Sequence, residues 1–195
     1  MRRQNILTTL ALIIGLTASA WANSRGKLSV DLWLDWEAVQ SPQISPDGSQ
    51  IAYRAAGKDG QGLFVITLAT GTIRALTADS SHDNFPAWSP KGDRIAFTRF
   101  TDSDYELYTI KPNGSDVRRL TNKRGNDAHC AWSPDGEWLA FSSARGGFKD
   151  EAALHPGNPQ PYADIYVMRA DGSDIRQLTD TPFEEGTVSW APRHR

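Results

Sequence analysis

Ala131-Trp132-Ser133-Pro134-Asp135-Gly136-Glu137-Trp138-Leu139-Ala140-Phe141 decides the fold, because altered copies of it return at a fixed interval. One copy reads Ala87-Trp88-Ser89-Pro90-Lys91-Gly92-Asp93-Arg94-Ile95-Ala96-Phe97, and an earlier one reads Gln43-Ile44-Ser45-Pro46-Asp47-Gly48-Ser49-Gln50-Ile51-Ala52-Tyr53. Their serines stand at 45, 89 and 133, a spacing of 44. A Leu-Thr pair follows each copy at Leu76-Thr77, Leu120-Thr121 and Leu178-Thr179, with spacings of 44 and 58, so the third repeat holds 14 extra residues. A fourth copy opens at Ser189-Trp190-Ala191-Pro192.

A period in the low forties with several short strands per unit is the pattern of a propeller blade. Repeat two shows the four strands. Pro86 to Ser89 is a short inner strand, Arg94 to Arg99 alternates Ile95 and Phe97 with polar neighbours, Glu106 to Ile110 carries Leu107, Tyr108 and Ile110, and Val117 to Leu120 closes the unit. Ser-Pro-Asp-Gly suits a tight turn: Pro presets φ, Asp bonds the backbone two residues on, and Gly accepts a positive φ. Asn113-Gly114 and Asp171-Gly172 are hairpin dipeptides on the same grounds. The expected fold is all-β and of β-propeller type. Three full four-stranded blades fall at about 42–79, 84–123 and 128–181, with the first strand of a fourth at 186–192.

The order Pro-x-Trp-Ser-Pro-Asp-Gly, then Ile-Ala-Phe, then Asp164-Ile165-Tyr166-Val167-Met168-Arg169-Ala170-Asp171-Gly172-Ser173, then Arg-x-Leu-Thr, resembles the β-propeller repeat of the TolB family, periplasmic proteins of the Tol system. The resemblance runs from about Pro42 to Pro192 and implies the propeller fold. It implies function less, since similar repeats occur in the propellers of prolyl-oligopeptidase-like peptidases and of some polysaccharide lyases. The segment Leu28 to Val39, which mixes helical and strand periodicity, together with Pro42 to Gly48 is similar to the start of those peptidase propellers. The peptidase activity itself is not expected: there is no Gly-x-Ser-x-Gly elbow and no room after the repeats for a hydrolase domain.

Ahead of the repeats, Met1-Arg2-Arg3 is a basic start, Ile6 to Leu16 is apolar, and Ala20-Trp21-Ala22 is a small-x-small cleavage site. Residues 1–22 read as a secretory signal peptide and 23–41 as a lead-in to the propeller region 42–195. The apolar run is too short for a stable bilayer span, so no membrane span is expected after cleavage, and the periplasm is the expected compartment. The formal net charge of −2, made more negative by loss of Arg2 and Arg3, points to neither nucleic acid nor an anionic membrane. The one cysteine, Cys130, has no partner for an internal disulfide and reads as a small buried apolar residue.

Propellers close with four to eight blades, so three blades leave two open edges. Self-association into a homodimer, a ring of two halves, is one expectation; a capped open arc and an unstable remnant are the others. Trp88, Trp132 and Trp190 recur at one position and are expected to stack between blades.

Candidate binding residues lie on the face away from the Ser-Pro-Asp-Gly turns. Five positions before each Trp stand Asp83, Asp127 and Glu185, a partial ring of carboxylates suited to a basic peptide or a cation, or else side chains capping their own turns. The insertion between Phe141 and Ile165 extends a loop on the same face and brings Arg145, Lys149, Asp150, Glu151, His155 and Tyr162 as polar handles, or serves as a spacer over an exposed edge. His82, His129, His155 and His194 lack metal-ligand spacing; a mixed site of His82, Asp127 and His155 is the one arrangement that would suit a metal. The sequence therefore predicts a secreted, periplasmic, non-catalytic binding module without a metal or cofactor, docking a peptide or protein partner of the cell envelope. The alternatives are a remnant or substrate gate of a peptidase and a lyase-type propeller.

Overall fold

The computed structural model describes residues 39–57, 60–77, 82–101, 104–147, 164–182 and 185–191. The signal segment, most of the lead-in, and Lys149, Asp150, Glu151, His155 and Tyr162 of the insertion lie outside the described residues.

The repeats form three four-stranded antiparallel sheets, each in chain order, as an all-β partial propeller requires. The first blade is β1 (Val39–Ile44), β2 (Gln50–Gly57), β3 (Gly60–Thr67) and β4 (Thr72–Ala75). The second is β5 (Asp83–Trp88), β6 (Ile95–Thr101), β7 (Asp104–Ile110) and β8 (Arg118–Arg119). The third is β9 (Asp127–Trp132), β10 (Trp138–Ser143), β11 (Asp164–Arg169) and β12 (Arg176–Gln177). Residues 185–191 add the start of the fourth copy.

Each strand sends alternate side chains to the two faces of its sheet, and both faces are used. Ala52, Leu63, Val65 and Leu76 of blade one pack on Ile95, Phe97, Tyr108 and Ile110 of blade two. The opposite face of blade two gives Ala96 and Leu107 to Leu139, Phe141, Tyr166 and Met168 of blade three. Within each blade one aromatic pair faces across β-strands two and three: Tyr53 with Phe64, Phe97 with Tyr108, and Phe141 with Tyr166, at 5.8, 5.7 and 5.9 Å between ring centroids. The outgoing face of blade three is less covered, since Leu178 is 60% exposed where its counterpart Leu76 is 6% exposed.

The repeated residues have repeated jobs. The Trp88 indole N–H donates to the Gln43 carbonyl at 3.1 Å, Trp132 to Ala87 at 3.0 Å, and Trp190 to Ala131 at 2.9 Å, in each case reaching the inner strand of the preceding blade. The Leu-Thr hydroxyl accepts a backbone N–H of the third strand, from Leu63, Leu107 and Ile165, at 3.0, 2.9 and 2.8 Å. In the turns, the serine hydroxyl accepts the N–H five residues on and donates to a carboxylate: Asp47 at 2.5 Å, Asp135 at 2.6 Å, and in repeat two Asp93 at 2.5 Å, because Lys91 replaces the motif's Asp. Gly172 turns with φ 89° so close to blade two that a Cβ there would stand 2.9 Å from the Leu120 carbonyl oxygen, which admits only glycine.

Two predictions follow from these links. Trp132→Phe keeps the ring and removes the inter-blade hydrogen bond, so urea unfolding should show a loss of about 1 kcal/mol or somewhat more, as for a buried donor's partner left unmet. The same change at the exposed Trp190 should cost less. Hydrogen bonds from Ser45 and from the Ser49 backbone and hydroxyl hold the Asp47 carboxyl down at about 2 from its ordinary 3.8. A depressed carboxyl stabilises the fold above its unfolded pKa and loses that contribution as the pH falls through the folded value. The melting temperature followed by circular dichroism should therefore drop between about pH 4 and pH 2, and less so in Asp47→Asn.

Candidate functional site

Of the recurring acids, at the end of the blades opposite the Ser-Pro-Asp-Gly turns, Asp83 and Asp127 are buried and Glu185 is half-buried. Asp83 opens β5 and sits across from Arg99 on β6. The guanidinium grips it with two hydrogen bonds, Nε to Oδ1 at 2.7 Å and Nη2 to Oδ2 at 2.8 Å. Asp83 holds the Arg99 guanidinium above its ordinary range by that hydrogen bonding. Asp127 opens β9 and accepts from Arg145 Nη2 and from Ser143 Oγ, both at 2.5 Å. Burial pushes the Asp127 carboxyl up, while Arg145 and Ser143 pull the other way. Glu185 accepts from the Thr179 hydroxyl and, at 3.1 Å, from Thr181.

Arg99 and Arg145 occupy the same place from different sequence positions. The repeat equivalent of Arg99 is Ser143, yet Arg99 lies over Phe97 and Tyr108 at 5.2 and 5.0 Å, and Arg145 lies over Phe141 and Tyr166 at 5.3 and 5.2 Å. The aromatic pair of blades two and three is thus the floor on which a guanidinium meets the buried acid. Two further buried acids, Glu106 and Asp164, stand near the start of the third strands; Glu106 accepts from Arg119 at 2.8 Å and Thr121 at 2.5 Å, and Asp164 from Gln177 at 3.1 Å. The sequence reading missed them because their partners lie on the last strand, 13 residues on, outside any short motif.

The structure therefore brings Asp127 and Arg145 together, pairs Asp83 with Arg99, and sets Glu185 against Thr179 and Thr181. Among the described residues no group of three or more His, Cys, Asp or Glu is placed to hold a metal ion.

A groove of about 770 Å³ lies elsewhere, along the inner strands. Its walls come from β1, β5, β9 and residues 187–189, and it reaches the turn residues Pro46, Pro90 and Pro134. Among the described residues no Asp, Glu, Lys or Arg lines it. Each inner strand carries a β-bulge, where the pairing with the second strand slips after Gln40, Asn84 and Ala128. At the bulge the backbone turns left-handed at Ser41, Phe85 and His129, with φ of 50°, 52° and 53°. The Phe85 and His129 rings meet at 4.2 Å and 52°. Burial lowers the His129 pKa, favouring its neutral form, and pushes the Cys130 thiol up to about 12, which makes it a poor nucleophile. Sequence reasoning passed over this groove.

The family model for the TolB beta propeller domain matches residues 22–150. The chain belongs to this family. Comparison with curated proteins finds no match. Among solved structures the TolB-type fold is similar to a protein assigned as TolB from Agrobacterium tumefaciens, at 22% identity and a TM-score of 0.58, over 70% of this chain and 47% of that one. It is also similar to TolB from Acinetobacter baumannii, at 22% identity and a TM-score of 0.51, over 76% and 45% of the two chains. The Pyrococcus horikoshii acylaminoacyl peptidase matches at 17% identity and a TM-score of 0.50, over 72% and 24%. The matched region thus spans about half the length of the TolB structures, and the likeness at these identities is one of fold.

The buried pairs make a direct prediction. Arg145→Met should strand the Asp127 carboxylate and cost about 3–5 kcal/mol in urea unfolding. Adding Asp127→Asn should recover much of that loss, since the uncompensated charge goes with it.

Proposed function

We propose that this TolB-type chain is a secreted, periplasmic, non-catalytic module that docks an extended segment of a cell-envelope protein in the groove along β1, β5 and β9. The observation that carries the reading is the groove itself: about 770 Å³, open along three inner strands, walled by Trp, Phe, Pro and Ala side chains and free of Asp, Glu, Lys and Arg among its lining residues. Concave, mostly apolar sites with a few polar groups are where ligands bind. The signal-like start Met1 to Ala22 supports the compartment.

The carboxylates that the spacing offered to a cationic partner are engaged instead. Asp83 and Asp127 are fully buried against Arg99 and Arg145, so a partner would have to break those pairs to reach them. A neutral segment fits the groove better than a basic one.

The test is fluorescence anisotropy with capped twelve-residue peptides of neutral, acidic and basic composition, titrated with the purified chain. The neutral peptide should bind tightest, and Ala131→Glu, which puts a charge into the groove wall, should weaken it about tenfold or more. Equal binding to wild type and Ala131→Glu would overturn the groove as the site, and cleavage of any peptide by the purified chain would overturn the non-catalytic reading.

A further inference from the structure

Each blade carries a quartet of large apolar side chains on one face, two from its second strand and two from its third. In blade two these are Ile95 and Phe97 opposite Ile110 and Tyr108, and in blade three Leu139 and Phe141 opposite Met168 and Tyr166. They pack on blade one and on blade two respectively, so the quartet faces the preceding blade. Blade one has the same quartet, Ile51 and Tyr53 opposite Ile66 and Phe64, and no sheet precedes it among the described residues.

That face is nonetheless covered. Ile51, Tyr53 and Ile66 are only 6%, 4% and 6% exposed, and burial pushes the Tyr53 phenol up. The described side chains that share their cluster, Ile44, Ala55, Phe64 and Leu68, all belong to blade one itself. A sheet does not bury its own face, since strand side chains stand roughly perpendicular to it and leave water only under a second layer. The face also differs from its counterparts in chemistry. Val39 and Ala55 stand where blade two has Asp83 and Arg99, and Gly57 stands where blade three has Arg145. The surface offered to the second layer is therefore apolar where its counterparts carry an ion pair.

The chain itself supplies a matching layer. Between the expected cleavage site and β1, Leu28, Val30, Leu32, Leu34 and Trp36 alternate with Ser29, Asp31, Trp33 and Asp35. A two-residue period puts one apolar row on one side of an extended segment. Trp36 stands just ahead of Val39, where β1 begins. At about 3.3 Å per extended residue, the intervening residues reach about 10 Å, enough to cross from an inner strand to the third strand of a sheet.

We propose that this face of blade one is the docking site for residues 28–36 of its own chain, lying along it as an extended segment in the place a preceding blade would take. Leu28, Val30, Leu32, Leu34 and Trp36 form the inward row, and Asp31 and Asp35 stay in water. The inference is independent of the groove reading. It closes this face of the mature chain to a second copy and to any other partner.

The experiment places a reporter thiol on the face, in the chain from Asn23 onward. Cys130 is buried with its thiol pushed up to about 12, so it is labelled only on global unfolding and serves as the internal reference. Ile51→Cys should be alkylated by iodoacetamide about a hundredfold slower under native conditions than in urea, read by peptide mass. Adding Leu32→Asp or Leu34→Asp should speed native alkylation about tenfold or more without labelling Cys130. Asp31→Asn or Asp35→Asn, in the outward row, should leave it unchanged. Should an Asp variant label Cys130 as well, Leu32→Ala and Leu34→Ala take its place, with a smaller increase expected. Rapid alkylation of Ile51→Cys in the native chain would overturn the proposal. So would protection that inward substitutions leave unchanged, or that outward ones disturb as much. Protection that fades on dilution, with a dimer in light scattering, would give the face to a second copy and overturn it too.

Discussion

The hydrogen bond from each Trp indole to the inner-strand carbonyl of the blade before it is the constraint on which the rest depends. Among the described residues no backbone ladder joins one sheet to the next; Ala, Leu, Ile and Phe side chains pack across the gap, and such packing alone fixes distance better than position. The indole N–H supplies a directional contact at 2.9 to 3.1 Å in all three places. A net hydrogen bond is worth about 1 kcal/mol, so wrong offsets between blades are penalised. With the inner strands thus aligned, the turns of neighbouring repeats also meet, as when Lys91 pairs with Glu137 at 2.6 Å. The walls of the groove are set at the same time.

Charge is sorted by this arrangement. Asp83, Glu106, Asp127 and Asp164 are all buried, and each has a cationic or polar partner from its own blade. Burying a carboxylate is costly unless it is paired and hydrogen bonded, which is why Arg99 makes a two-pronged grip and Arg145 shares Asp127 with Ser143. The groove is lined instead by neutral groups. A propeller whose acids are spent on holding the blades offers its inner wall to ligands that bring no charge of their own.

Most of the fold was legible in the sequence, because the features that specify it are local and repeated. Ser-Pro-Asp-Gly, Asn-Gly, Leu-Thr and the alternating Ile-Ala-Phe segments each fix a turn or a strand within a few residues, and their period gives the blade. The surroundings of the candidate site were harder to read. The acids were visible five residues before each Trp, but their arginines were not, since Arg99 and Arg145 stand at different offsets from their repeats and reach the same spot only in three dimensions. The bulge was hidden too: a slip in strand pairing after Asn84 leaves no mark in the hydrophobic pattern. The charges of the Lys149 to Tyr162 segment gave polarity without position, and that segment lies outside the described residues.

Because every blade touches only its neighbours in sequence, the molecule behaves energetically as a short linear array. Its cooperativity rests on two internal junctions, between blades one and two and between blades two and three. Structure can nucleate at either and spread by one repeat at a time, with each newly formed sheet acting as the template for the next. The third sheet, with Leu178 open to water, is the least covered of the three. Amide hydrogens in β11 and β12 are accordingly the ones that local opening reaches before the centre of the array gives way.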